Sequence, residues 1–265
     1  MGDSFGRNRF CDGPGIECSG TRCPPENQAV NTRVAQDFVV FDETEACPYV
    51  PGRIARMPLV VPTRPRDPGE ADRRFAAGQR RSGDFVYSTK CPGCEACQPI
   101  RLEVERFTPC RSQRRAWRVG QRHFRSEIGP LVSDSSRVEL FNRHRQKRGL
   151  AREGSIDLDS YAWGLGRSCF EAFEIDYYVA ERLAGVAICD RGQVSLSAVY
   201  TYYDPDLARL SPGVYSILRQ IEFCRSEGLR YLYLGFYVAE SRAMAYKARY
   251  RPHQRLIGGV WYDLD

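Results

Sequence analysis

Three thiols in the run CPGCEAC, Cys91, Cys94 and Cys97, stand at two successive C-x-x-C steps. A Pro-Gly turn within the first step lets side chains at this spacing face one ion. A fourth thiol, Cys47 in the equally turn-like CPYVPGR, would complete a tetrahedral set for zinc or an iron–sulfur cluster. The competing reading is of reduced structural cysteines in a tight loop, and spacing alone does not choose the metal.

A second concentration of chemistry is RSQRRAWRVGQRHFR, with six arginines (Arg111, Arg114, Arg115, Arg118, Arg122 and Arg125) and no acidic residue in fifteen positions. Guanidinium forks pair with phosphate oxygens, and the interleaved Trp117, His123 and Phe124 offer faces on which bases stack. A solvated helical face is the alternative, but such faces usually mix signs. The run therefore points to contact with a nucleic acid, without implying sequence-specific readout. The net charge of +6 is modest, so this local excess says more about partners than the total does.

A third candidate is the turn YYDPDLARLSPGVYS between a strand and the following helix, where backbone amides at a helix N-terminus can cradle a phosphate. Acyltransferases that use coenzyme A carry a glycine-rich pattern there, Arg or Gln followed by x-x-Gly-x-Gly or Ala. Here Arg209 is followed by Leu-Ser-Pro-Gly-Val, and Pro212 removes one amide donor. Coenzyme A is therefore not expected as a cofactor. Locally, YYDPD reads equally as an Asp-Pro turn and Gly213 as an ordinary helix start.

These groups must be held by a chain of 265 residues that is 42% hydrophobic, enough for a buried core. No apolar run is long enough for a membrane span. The opening MGDSFGRNRFCDG lacks the apolar stretch and cleavage site of a secretory signal, so a cytoplasmic protein with no membrane partner is expected. In that compartment the eleven cysteines are reduced or metal-bound rather than stapled. Residues 1–36, with Cys11, Cys18 and Cys23 and no apolar periodicity, read as a flexible cysteine-containing extension.

Order is expected to begin at DFVVF (37–41). EADRRFAAG reads as a short helix closed by Gly78; Ile100, Leu102 and Val104 alternate with charged residues as in a half-buried strand; Arg111–Gln121 follows as a helix. In the second half, helical SSRVELFNRHRQKRG and DLDSYAWGLG precede three strands, FEIDYYV, LAGVAIC and QVSLSAVYTYY. The last places Val194, Leu196, Ala198, Tyr200 and Tyr202 on one face. Then come the amphipathic helix GVYSILRQIEFCRSEG, strand LRYLYLGF, helix ESRAMAYKA and a short strand at GGVWY. This α/β (α+β) succession is similar to that of GNAT-type acyltransferases, whose central sheet opens to admit an acyl donor, although fold analogy does not assign a reaction.

Longer segments point to the donor. GQRRSGDFVYSTKCPGCEACQPIRLEVERFTPCRSQRR (78–115) resembles the N-terminal signature of the arginyl-tRNA–protein transferase family. SAVYTYYDPDLARLSPGVYSILRQIE and YLYLGFYVAESRAMAYKARYRP resemble its C-terminal signature, and the likeness runs over 37–263. The cysteine arrangement and short length are similar to the bacterial branch. The resemblance implies that this branch transfers leucine from aminoacyl-tRNA to proteins or peptides with N-terminal Asp or Glu, marking them for degradation, whereas eukaryotic members transfer arginine. It also implies an N-terminal transferase region (37–127) with the cysteine cluster and arginine-rich helix, and a C-terminal GNAT-like domain (128–265).

Within those signatures Arg80 and Arg81, with Arg53, are candidates to hold the acceptor carboxylate, a structural ion pair being the alternative for each. Lys247, Arg249 and Arg251, together with Arg111, Arg114 and Arg115, are candidates for tRNA contact. Asp204 or Tyr202, expected at the mouth of the cleft, could orient the attacking amine or relay a proton. Two departures from the family pattern are visible: Cys110 stands where serine often precedes RSQRR, and the extension has no counterpart. Within the family, transfer of arginine is the alternative; outside it, a coenzyme-A-dependent N-acyltransferase and a zinc-ribbon nucleic-acid-binding module are. The missing glycine pattern argues against the N-acyltransferase, and the elaborate C-terminal half against the zinc-ribbon module.

Overall fold

The computed structural model describes residues 37–151 and 154–264, so the expected extension, 1–36, lies outside the described residues. Four short strands come first, β1 (Phe38–Phe41), β2 (Thr44–Ala46), β3 (Ile54–Arg56) and β4 (Leu59–Val61), followed by α1 (Pro68–Ala76). Asp67 caps α1 by accepting the Gly69 and Glu70 amides, and Gly78 closes it at φ +77, as the sequence suggests. The hairpin β5 (Arg80–Ser82) and β6 (Phe85–Tyr87) leads to β7 (Gln98–Glu103), α2 (Arg111–His123), β8 (Arg125–Gly129), α3 (Ser135–Lys147) and α4 (Leu158–Gly164). Three long strands follow, β9 (Glu171–Val179), β10 (Arg182–Arg191) and β11 (Ser195–Tyr203), then α5 (Pro212–Ser226) and β12 (Tyr231–Tyr237). The short α6 (Arg242–Ala245) continues as a 3-10 turn, Tyr246–Arg249, before the hairpin β13 (His253–Ile257) and β14 (Val260–Leu264).

The main sheet has eight strands in the order β14-β13-β7-β12-β11-β10-β9-β8, and a smaller one is ordered β1-β4-β6-β5. Every pairing in the main sheet is antiparallel except β11 with β12. These two run parallel, pair only from Ser195–Tyr231 to Ser197–Tyr233, and then part. A sheet opened in its middle is the GNAT-like arrangement expected. The expected boundary at 127/128 is not a break in this sheet, because β8 crosses it and β7 lies between β12 and β13. Strands β8 and β13 escaped the sequence reading because each opens on three polar residues, Arg125–Glu127 and His253–Arg255, which mask the alternation.

The amphipathic stripe of α5, Ile217, Leu218 and Ile221, packs on Leu196, Ile100, Leu102 and Leu232. On the other face Leu140 and Phe141 of α3 and Tyr161 of α4 pack on Val186, Ile188 and Tyr202. Ile188 is paired with Tyr200 but Cys189 with Ala198, so Val199 is an extra residue in β11. This bulge resets the alternation. Leu196 and Ala198 go to the α5 side, Tyr200 and Tyr202 to the α3–α4 side, and Val194 is exposed. The single face expected for 194–202 is corrected accordingly.

Candidate active site

Beyond Ser197 the two parallel strands separate, and Arg80 reaches into the gap from β5. Its guanidinium donates to Ser197 Oγ (3.1 Å) and to the carbonyls of Ala198 (2.8 Å) and Val199 (3.1 Å), the last two at the bulge. Across the gap it lies against Gly235 of β12. A Cβ there would stand 3.1 Å from Arg80 Cζ, a tight contact, and φ is +84, a backbone conformation that favours glycine. From the turn after α6, Lys247 Nζ donates to the Phe236 carbonyl at 2.8 Å. The hydrogen-bond partners of both cations are neutral, and among the described residues no carboxylate pairs with either. Burial lowers Lys247 to about 7, with the charge of Arg80 acting in the same direction. Tyr49 and Tyr87 meet the Phe236 ring edge-on nearby.

The remaining candidates separate from this gap. Arg81, one residue along β5 and so on its opposite face, is buried in an ion pair with Asp190 (2.9 Å) and donates to the Arg167 carbonyl (2.8 Å). It braces the fold, which corrects its expected part in holding the acceptor. Tyr202 is fully buried, its hydroxyl 2.5 Å from that of Tyr161, and burial pushes it far above the ordinary phenol range. The bulge turns it into the core, so it does not stand at a cleft mouth. Asp204 is also buried. It caps the turn Pro205–Leu210 and pairs with Arg143 (3.0 Å) and Arg182 (2.7 Å), a clamp between segments rather than a free base. Arg53 is exposed beside the thiols, bonded to Cys94 Sγ (3.2 Å) and Glu240 (3.3 Å).

Helix α2 buries Gln113, Ala116 and Gly120, and turns Arg111, Arg114, Arg115, Arg118 and Arg122 outward. Its fit against α5 is close: a Cβ on Gly120 would stand 2.1 Å from the Tyr215 ring. Trp117 and Phe124 stack on that same ring, each with centroids 5.4 Å away. They are thus packing residues, which corrects their expected use as base-stacking platforms, while His123 remains exposed. Gln113 ties the two basic segments together: its Oε1 accepts the Cys110 amide (2.8 Å) and its Nε2 donates to the Arg249 carbonyl (3.3 Å). Cys110 serves as the N-cap of α2. Arg249 and Arg251 are exposed next to α2, but Lys247 turns inward, which corrects its expected place among the tRNA cations.

Cys47, Cys91 and Cys94 lie close enough to Cys97 for their fields to reach it. Cys97 is pushed up to about 12, first by burial and then by the thiols of Cys47, Cys91 and Cys94. The Val50 and Arg56 amides point at Cys47 and Cys91 Sγ, each at 3.4 Å. Such donors suit thiolate ligands. Among the described residues no group of three or more His, Cys, Asp or Glu side chains stands at the separations of a formed metal site. The sequence reading missed Ser197, the bulge carbonyls and Gly235; a lone glycine within the strand YLYLGF was the available signal of close approach.

A mixed sheet parted at its one parallel pair, with cations in the parting that no carboxylate among the described residues neutralises and a basic helix alongside, is a GNAT-like arrangement. The chain belongs to the arginine-tRNA-protein transferase family, whose N-terminal model matches residues 45–115 and whose C-terminal model matches 136–257. It is similar to the aspartate/glutamate leucyltransferase of Chromobacterium violaceum, 39% identical over 220 residues, which are 82% of this chain and 90% of the relative. The protein of the same description from Thiobacillus denitrificans is 37% identical over 223 residues, 83% of this chain and 91% of the relative. Among solved structures it resembles a tandem GNAT protein from the clavulanic acid biosynthesis pathway, with TM-score 0.35 and 15% identity, covering 78% of this chain and 57% of that one. No helix among the described residues is long and apolar enough to cross a membrane.

Proposed function

We propose that the protein transfers leucine from leucyl-tRNA to the α-amino group of proteins beginning with Asp or Glu, marking them for degradation. The observation that carries this reading is Arg80, a guanidinium without an acidic partner among the described residues, at the foot of the parted strands. It suits the side-chain carboxylate of an acceptor whose amine must meet an ester in that gap. An aminoacyl ester is already activated, and an α-amine with pKa about 7.7 is partly neutral near pH 7, so alignment and oxyanion stabilisation matter more than a strong base. The amine attacks the ester carbonyl, a C–N bond forms as the ester C–O bond breaks, and the terminal ribose hydroxyl leaves with the amine's proton. The relatives named for leucyl transfer support leucine as the donor. Incubation with labelled leucyl-tRNA, arginyl-tRNA or acetyl-coenzyme A, and peptides differing only in their first residue, tests this. Leucine on Asp and Glu peptides is the expected product; arginine or acetyl transfer would replace the reading.

In the same reading Arg111, Arg114, Arg115, Arg249 and Arg251 contact tRNA phosphates. None of them forms an ion pair among the described residues, so each keeps its charge for an outside partner. Exchanging Arg114 and Arg115 together for Glu should weaken leucyl-tRNA binding and flatten its dependence on salt, because fewer counterions are released. Peptide KM should hardly move. An unchanged salt slope would return the helix to a solvated face.

We also propose that Cys47, Cys91, Cys94 and Cys97 hold zinc or an iron–sulfur cluster, which would tie two loops together and contribute to folding. Protein purified without oxygen should carry near-stoichiometric zinc or iron, and Cys94→Ser should lower metal content and Tm together. Metal-free protein of native Tm and full activity would sink this assignment.

A further inference from the structure

The chain's treatment of its buried cations is uneven. Arg74 meets Asp37 and Glu70, Arg81 meets Asp190, and Arg137 meets Glu174 and Asp176. A buried charge without a counter-charge is costly, and each of these has one. At the parted strands the buried Lys247 and the half-buried Arg80 have none among the described residues; the buried Arg101 of β7 lacks one too, but lies over the Tyr231 and Trp261 rings instead. Lys247 and Arg80 lie at neighbouring points on the same edge, Arg80 against Gly235 and Lys247 on the carbonyl of Phe236, at the level where β11 has left β12. Their fields reach one another.

Resting on the transfer reading above, we propose that Lys247 and Arg80 form one seat for the side-chain carboxylate of the acceptor's first residue, with Lys247 discriminating Asp and Glu from their amides. Lys247 is only 8% exposed, so a slender carboxylate suits it better than a phosphodiester backbone flanked by riboses. The outward arginines of α2 already offer a surface for the latter. A carboxylate arriving here supplies the counter-charge that no described residue does; a carboxamide of the same shape does not, and leaves the ammonium desolvated.

The seat has a proton signature. In the free protein Lys247 gives up its proton near neutrality, and Arg80 is the charged side chain whose field reaches it among the described residues. A bound carboxylate favours the charged amine, so binding takes up a proton as pH rises above about 7. Affinity for acidic peptides therefore falls through that range. Arg80 keeps its charge throughout and contributes no such slope.

The experiment measures KM and kcat with Asp, Glu, Asn and Gln peptides at saturating leucyl-tRNA, in the native protein and in Lys247→Met, which keeps the length and removes the charge. KM for the acidic peptides should rise roughly ten- to hundredfold, as expected for loss of a charged hydrogen bond. Amide peptides and leucyl-tRNA Kd should stay near their native values. In the native protein the Asp-to-Asn ratio of kcat/KM should decline above neutrality, a ratio that cancels titration of the peptide amine. In the variant it should be flat. Equal losses on Asp and Asn peptides, or a loss confined to leucyl-tRNA Kd, would overturn the inference. If Lys247→Met does not fold, the native ratio decides alone, a flat profile overturning the proposal. Absence of any transfer overturns the proposed function and this inference with it, whereas transfer with a flat ratio overturns this inference only.

Discussion

Arg80→Gln is expected to lower kcat/KM for an Asp peptide by about two orders of magnitude, while the protein stays folded. Two losses combine. The charged hydrogen bond to the acceptor carboxylate is worth about 1.5–3 kcal/mol, and misplacement of the acceptor relative to the ester adds to it. The guanidinium also bridges the gap by holding Ser197, Ala198 and Val199 on β11 while lying against Gly235 on β12. Glutamine retains part of the neutral hydrogen bonding and none of the charge, so Tm should fall only slightly. The diagnostic quantity is the Asp-over-Asn ratio, which should collapse toward one with leucyl-tRNA binding intact. A variant slow on both peptides but with its native ratio would show that Arg80 only holds the strands.

The next residue should behave in the opposite way. Arg81→Met removes one partner of a buried pair and strands Asp190, whose carboxyl is already raised by burial despite the arginine. Breaking such a pair costs about 3–5 kcal/mol, a large share of the 5–15 kcal/mol by which domains are stable. Urea unfolding should show this loss directly. Changing Asp190 to Leu in the same chain should recover much of it, because the remaining charge goes too. Whatever protein remains folded should choose Asp over Asn as before. A single-variant loss below about 1 kcal/mol would mean that the pair is solvated or replaceable, contrary to its burial.

Adjacent arginines with such different expected behaviour mark the limit of reading this chain as text. Neighbours on a strand point to opposite faces, so QRRSG offers two equivalent cations until the hairpin β5–β6 assigns one to Asp190 and one to the gap. Regular elements were legible where their periods were clean: α5 lies where an apolar stripe placed it, and β7 where alternation did, although it ends at Glu103, Val104 opens a 3-10 turn and Arg101 is buried. So were the outward arginines of α2, since fifteen residues without an acid leave little to neutralise them. Tyr202 was misplaced by a single inserted residue, Val199, which leaves no mark in a hydrophobic pattern. YKARYRP reads as three equivalent cations, but the 3-10 turn sends Lys247 inward and Arg249 outward. Depth, not residue type, divides their roles, and depth is a tertiary property.

Gln113 carries a last implication. One end of its side chain secures the start of α2, and the other holds the Arg249 carbonyl, two residues past Lys247. The helix assigned to the donor is therefore a single side chain away from the turn that carries the acceptor-reading amine. On the proposed assignments, any effect of tRNA on α2 that passes through Gln113 to this turn is reciprocal, so that an acidic N-terminus seated on Lys247 would alter the grip on tRNA by the same factor. Such a link would place the choice of an N-terminus in the loaded complex rather than in the resting protein.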